Sequence, residues 1–277
     1  MSVKKEASGR RSVQVEVEVP GTPGEVWQAI ATGPGISCWF CPTEIEIGAD
    51  GKPAGIVFHM GAGMDAASKI TVWEPPRRFM AESPGWAPGM PALATEWTVE
   101  ARAGGTCLVR VVHSMFASTD DWDNQLEGTE TGWPAYFRIL RLYLTNFRGQ
   151  PCSNIQVTAM AAEPESKAWE TLTGLLGLAS ARNGERRNAP AGAPQLAGTI
   201  ESAQLGDNKH WMLLQLDQPA RGLVSLGTFP CGGPTMVAVC FYLYGEGAAK
   251  VAANEEPLWQ AWMNKHFPAA SGAEAGH

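Results

Sequence analysis

The stretch that decides the fold is "TGWPAYFRILRLYLTNFRG", which covers residues 131–149. Its apolar residues recur at helical spacing, with the arginines on the opposite side, and they are Trp133, Phe137, Leu140, Leu144 and Phe147. Pro134 suits the first turn and Gly149 the exit, and the acids of residues 120–130 lie upstream, where the helix dipole favours negative charge. The stretch therefore predicts a long helix whose aromatic stripe lies across an apolar surface.

Upstream of this helix the pattern is that of an antiparallel meander. Residues 13–19, "VQVEVEV", alternate with period two and predict a strand with one buried face, whereas residues 24–32, "GEVWQAIAT", predict a helix. Further strands, separated by Gly, Pro and Asp turn signals, are predicted at 44–47, 56–60, 69–73, 78–82, 93–100 and 106–115. This order predicts an α+β helix-grip fold, in which a curved antiparallel sheet wraps around a long C-terminal helix.

The opening segment "VEVPGTPGEVWQAIATGPGISCWF", residues 17–40, carries a resemblance to a known family. It resembles the START-like superfamily, specifically bacterial proteins similar to the activator of heat-shock-chaperone ATPase. The matching positions of the strand, turn, helix and following tryptophan are Val26, Trp27, Ala29, Thr32 and Trp39. The stretch from Gly132 is similar to the closing helix of that family. The resemblance covers about residues 12–150 and implies the helix-grip fold, but none of its motifs is catalytic.

The second half of the chain reads as a divergent repeat of the first. Residues 154–180, "NIQVTAMAAEPESKAWETLTGLLGLAS", place Trp169 where the first half has Trp27, after a strand and a proline-containing turn. Four more strands and a closing helix are predicted, at 196–205, 211–216, 222–229, 236–244 and 255–267. A polar Gly/Pro loop over 183–194 replaces the early strands of the first copy. We therefore predict a START-like domain at 12–150 and a shorter helix-grip-like domain at 154–268. One enlarged domain with an extension is the alternative.

Composition limits the classes of partner. With 44% hydrophobic and 18% charged residues, the 277-residue chain can bury a large core, and its formal net charge of −7 disfavours nucleic acid. No apolar run approaches the ~20 residues of a membrane-spanning helix. The basic segment 1–11 has no apolar core after it, unlike a signal peptide. We expect a cytoplasmic protein that binds neither nucleic acid nor membrane.

The segment "CWFC", residues 38–41, has the spacing of a thiol redox motif or of half a zinc site. A zinc site would need a second close pair of Cys or His, which the sequence lacks, and a redox motif would open a helix instead of leading into a strand. We therefore predict that Trp39 and Phe40 are the important residues and that Cys38 and Cys41 are reduced neighbours. No metal and no cofactor is predicted.

A helix-grip domain predicts a mainly apolar cavity between its sheet and its long helix. In the first copy the lining is predicted to consist of Trp39, Phe58, Met60, Trp97, Val109, Val111, His113, Phe137 and Leu140. The same residues could instead simply fill the core. His113 continues the inward face of its strand and is the single candidate for a catalytic residue, since a histidine at a cavity mouth could orient a ligand or move a proton.

Three functions agree with these features. The first is binding of a small hydrophobic molecule, aromatic or polyketide-like, in the cavity. The second is an enzyme of the cyclase, hydratase or lyase type, which requires His113 and a second polar group to converge inside the cavity. The third is contact with a protein partner, which the chaperone-activator resemblance implies and which would go with a filled cavity and an exposed patch. The residues favour binding, although fold resemblance alone cannot choose among the three.

Overall fold

The computed structural model describes residues 3–61, 65–84, 89–117, 119–204, 210–230 and 233–268. The chain divides into two compact units, Met1–Gly149 and Gln150–His277. Each unit contains one antiparallel sheet and ends in a long helix, so the predicted tandem of α+β helix-grip folds is confirmed. None of the helices in the described ranges is long and apolar enough to cross a membrane.

The first unit has one eight-stranded sheet in the order β1-β2-β8-β7-β6-β5-β4-β3. Its elements are β1 (Lys4–Lys5), β2 (Arg10–Pro20), α1 (Pro23–Ala31), α2 (Gly33–Ser37), β3 (Thr43–Ile47), β4 (Pro53–His59), β5 (Asp65–Glu74), β6 (Arg78–Ser83), β7 (Leu93–Arg102), β8 (Thr106–Phe116) and α3 (Asp123–Asn146). Every neighbouring pair in this sheet is antiparallel, as the predicted meander requires.

Alternation along β7 and β8 sets which side chains face the core. Trp97 pairs with Val111 and Thr95 with His113, and Val111 and His113 are buried. Arg110 on the same strand points to the other face and bonds Glu16. Because side chains in a strand alternate between faces, this register fixes which side chains of β7 and β8 face the core.

The segment after β2 folds as two short helices. Thr22 caps α1 in a capping box with Glu25, which also bonds Arg148. Gly33–Ser37, which directly follows the predicted helix over 24–32, forms α2. Thr32 makes this possible because its hydroxyl accepts from the Gly35 amide and caps the new helix.

The two cysteines of "CWFC" lie at the end of α2, not at the start of a helix. Both side chains are buried thiols, and Cys38 Sγ donates to the Pro34 carbonyl. The ring between them does more for the fold: Trp39 is 1% exposed, and its Nε1–H donates to the Ala29 carbonyl at 2.9 Å. In the described part of the chain, no group of three or more His, Cys, Asp or Glu side chains could hold a metal ion.

The long helix α3 starts earlier than the sequence indicated. It begins at Asp123, so the acidic stretch belongs largely to the helix and Pro134 lies in its interior instead of its first turn. The start is anchored by Arg11, whose Nη1 reaches both carboxylate oxygens of Asp123 at 2.7 and 2.9 Å and whose Nη2 reaches Asp120 at 2.6 Å. Lys5 and Arg11 hold the pKa of Asp120 below its usual value. These ion pairs tie the first turn of α3 to β2.

The second unit has a six-stranded sheet in the order β10-β11-β12-β13-β14-β9. Its elements are β9 (Cys152–Ala161), α4 (Glu165–Leu175), β10 (Arg186–Asn188), β11 (Ala197–Gln204), β12 (Trp211–Gln218), β13 (Gly222–Pro230), β14 (Thr235–Tyr244) and α5 (Ala248–His266). The predicted loop over 183–194 was wrong in part, because β10 lies within it and pairs with β11. Helix α5 starts seven residues before the prediction, because the buried Ala248 and Ala252 extend its apolar stripe.

The two copies differ where the tryptophan of the first helix meets the sheet. In the first unit Trp27 packs on Phe79, with ring centroids 5.9 Å apart. In the second unit Trp169 packs on His210 at 5.8 Å, and the Nδ1 atom of His210 lies 3.2 Å from a carboxylate oxygen of Glu165. Thr228 is 1% exposed, and its hydroxyl finds no hydrogen-bond partner among the described residues. The second copy has therefore replaced part of an apolar layer with polar groups.

Candidate functional site

The site of the first unit is built around buried aromatic rings between the sheet and α3. Trp39 follows α2, Trp97 lies on β7 and Phe137 lies on α3. The centroid of Trp97 is 6.1 Å from that of Trp39 and 5.9 Å from that of Phe137, and both pairs are close to perpendicular. This is the edge-to-face arrangement that aromatic rings prefer, and it adds to the stability gained from burial. These three rings form the floor of the site.

Four partly buried aromatic rings lie between this floor and solvent, and we call them the mouth cluster: Phe40, Phe58, Trp133 and Tyr136. Phe40 is at their centre, with centroid distances of 5.7 Å to Phe58, 5.5 Å to Trp133 and 4.7 Å to Tyr136. Trp133 joins the mouth to the floor, because its ring stands perpendicular to Trp97 at 5.0 Å. The rings thus form a continuous series of aromatic contacts from the surface to the buried tryptophans.

His113 lies beside Trp133 in this assembly, and both of its ring nitrogens are bonded. Trp133 Nε1–H donates to its Nε2 atom at 2.6 Å, and its Nδ1 atom lies 2.9 Å from the Thr95 hydroxyl. Since the indole can only donate, Nε2 accepts and the imidazole proton sits on Nδ1. Burial lowers the pKa of His113 to about 4, so the ring is neutral at neutral pH.

The predicted lining residues fall into three groups. Fully or nearly fully buried residues make up the first group, and these are Trp39, Trp97, Val109, Val111, His113, Phe137 and Leu140. Phe58 is partly buried and belongs to the mouth cluster. Met60 lies beyond β4, which ends at His59, and is 42% exposed, so it is not buried with the other predicted lining residues.

Sequence reasoning missed Trp133 and Tyr136 as site residues. Trp133 was recognised as part of the helical stripe, but only the crossing of α3 over the sheet brings it to His113. Tyr136 follows Trp133 at a spacing of three, which places the two on one helix face. That spacing was a usable signal, because α3 had already been predicted with this face toward the sheet.

A concavity lies on the outer face of the same sheet. It has a volume of about 490 Å³ and is lined mainly by polar and charged residues, among them Lys4, Arg10, Gln14, Glu96 and Arg110. Several of these charges already form ion pairs, such as Arg110 with Glu16 and Glu96 with Arg78. It differs in lining and in position from the apolar cavity that the sequence predicted.

Comparison with protein families gives a match in the first unit. Residues 20–145 match the family model described as "Activator of Hsp90 ATPase homolog 1-like protein". The match runs from the end of β2 almost to the end of α3, so it includes the floor, the mouth cluster and His113. The first unit is an AHSA1-like domain of the helix-grip superfamily. A comparison with curated proteins finds no match.

Solved structures similar to the AHSA1-like domain or to the whole chain have low sequence identity. CalU16 from Micromonospora echinospora is 19% identical over 52% of this chain and 83% of its own, with a TM-score of 0.40. DynU16 of the dynemicin biosynthetic locus is 19% identical over 91% of this chain and 94% of its own, at 0.40. The di-domain ARO/CYC BexL of the BE-7585A biosynthetic pathway is 12% identical over 94% and 99%, at 0.44. At these values the likeness says nothing about activity.

Proposed function

We propose that the AHSA1-like domain binds a small, flat hydrophobic molecule, aromatic or polyketide-like, between its curved sheet and α3. The observation that carries the proposal is the mouth cluster. Phe40, Phe58, Trp133 and Tyr136 remain partly exposed although a closed core could have buried them. Ligand sites of this kind are mainly apolar and aromatic, with few polar groups that fix orientation.

The geometry suits stacking of a planar ligand. Phe40 and Trp133 lie 5.5 Å apart with their planes tilted by 30°, and Tyr136 stands nearly perpendicular to Phe40. A planar molecule that replaces one of these rings would meet both a face and an edge, which are the two favourable contacts of an aromatic system. His113 is a polar group within reach of such a molecule, through the nitrogen that Trp133 now covers.

Binding is favoured over catalysis by the state of His113. An acid at neutral pH would need a pKa near 7, whereas the pKa of His113 is lowered to about 4. The groups that the fold brings to His113 are Thr95 and Trp133, and neither is a proton donor or acceptor of matched pKa. Turnover of an identified ligand by the purified protein would restore the cyclase, hydratase or lyase alternative.

The first experiment is native mass spectrometry of the purified protein, followed by organic extraction of any bound molecule. A stoichiometric small molecule that is absent from a Phe40→Leu, Trp133→Leu double variant supports the proposal. Phe116→Leu is the matched control, because Phe116 is an aromatic residue of the same unit that is 67% exposed. An empty protein whose melting temperature ignores a library of planar hydrophobic compounds would refute the proposal and favour a protein partner.

A further inference from the structure

The hydrogen bonds of His113 constrain the chemistry of the ligand, in an inference that rests on the proposed function. His113 is 6% exposed and pairs across the sheet with Thr95 on β7. Because Nδ1 carries the proton toward Thr95, Nε2 presents only a lone pair toward α3. Any group that contacts Nε2 in this tautomer has to supply a hydrogen.

Trp133 supplies that hydrogen in the structure, and it is the more movable of the two partners. Its indole is partly exposed, whereas His113 is buried and held by β8. The two rings are nearly parallel, at 17°, with centroids 5.7 Å apart, so the indole lies beside the imidazole and closes it off from the mouth cluster. Rotation of one side chain on α3 would uncover Nε2 without disturbing the sheet.

We infer that Trp133 is a displaceable plug and that the ligand is an aromatic molecule with a hydroxyl group, whose O–H replaces the indole N–H at Nε2 of His113. The ring of the ligand then occupies the place of the indole among Phe40, Tyr136 and Trp97. A phenol or an enolised aromatic ketone has this chemistry. Trp133 is a specificity-determining residue in this arrangement, because only a ligand with a hydrogen-bond donor can replace its N–H at Nε2 of His113.

A ligand without a donor binds poorly because it leaves a buried acceptor unpaired. The cost of an unsatisfied buried polar group corresponds to roughly a 10-fold loss of affinity or more. A methyl group in place of the hydroxyl has nearly the same size and keeps all stacking contacts. The comparison of the two ligands therefore isolates the hydrogen bond to His113.

The test is calorimetric titration of the full-length protein with naphthol and with the methylnaphthalene substituted at the same ring position. We expect naphthol to bind at least about 10-fold more tightly to the wild type. In His113→Phe the two affinities should become equal, whereas His59→Phe, a partly exposed histidine of β4, should keep the difference. A second readout needs no variant: the indole N–H of Trp133 should exchange slowly in the free protein and quickly with naphthol bound.

Each result decides a different point. Equal binding of both probes by the wild type would overturn the role of His113 while leaving the proposed binding function intact. Tighter binding of naphthol with an indole N–H of Trp133 that stays protected would place the ligand elsewhere and overturn the plug. Binding of neither probe would overturn both the proposed function and this inference.

Discussion

Replacement of Trp39 by phenylalanine tests whether the ring, and not the flanking thiols, holds the segment at residues 38–41. The side chain of Trp39 is 1% exposed and donates to the Ala29 carbonyl at 2.9 Å. A phenyl ring buries roughly 40 Å² less apolar surface, which costs about 1 kcal/mol. The lost hydrogen bond leaves a carbonyl near the end of α1 unpaired, which costs about 1–3 kcal/mol. We expect Trp39→Phe to lower the free energy of unfolding by about 2–4 kcal/mol.

The matched variant is Cys38→Ser with Cys41→Ser. The Cys38 thiol already donates to the Pro34 carbonyl, and a serine hydroxyl can do the same. The double change should therefore cost only about 1 kcal/mol. Urea unfolding followed by circular dichroism suits the measurement, because the 11 tryptophans make fluorescence hard to assign. The reasoning fails if the cysteine variant loses as much stability as Trp39→Phe, or if bound zinc disappears with the thiols.

Three further predictions concern stability and are checked by unfolding curves. Burial lowers the pKa of His113 from 6.5 to about 4, so on acidification the unfolded chain is protonated at this histidine before the folded protein is. The free energy of unfolding should therefore fall as the pH drops from about 6.5 to about 4. His113→Gln should reduce that fall by up to about 3 kcal/mol. Thr228→Val should be neutral or stabilising by up to about 1 kcal/mol, because it removes an unpartnered buried hydroxyl; a loss of stability would reveal a partner. Gly35→Ala should lower the free energy of unfolding by at least about 2 kcal/mol, because its Cβ would lie 1.9 Å from the Gln28 carbonyl oxygen. Gly24→Ala has open space around it and should stabilise α1 by about 0.5 kcal/mol. Equal effects of the two substitutions would contradict the packing at α2.

The strands were predictable because alternation is a local property of the chain. The alternating valines of β2 and the series Cys107, Val109 and Val111 of β8 indicate the register directly. The structure buries the β8 series together with Val13 and Val19, whereas Val15 and Val17 are partly buried. Helix starts were less predictable. Rules for proline place Pro134 in a first turn, but the ion pairs of Arg11 with Asp123 come from a residue 112 positions away and extend the helix. Such distant contacts leave no trace in a local pattern.

The candidate site was predictable in composition and not in exposure. The sequence identified several of the rings that meet between sheet and helix, but not Trp133 and Tyr136. It also could not tell that Phe40 stays partly exposed while its neighbour Trp39 is buried. That difference depends on where α3 crosses the sheet. The bond from Trp133 to His113 joins positions 20 residues apart through the same crossing, so it follows from tertiary geometry alone.

The edge strands of the first sheet affect whether the protein associates with itself at high concentration. One edge strand is β1, which consists of two lysines paired with Arg11 and Ser12. The other is the five-residue β3, which contains Glu44 and Glu46. Short, charged edge strands resist the addition of a strand from another molecule. Removal of the first nine residues would remove the two lysines of β1 from this edge of the sheet. We expect such a truncation to accelerate self-association into fibrils, which thioflavin binding would detect.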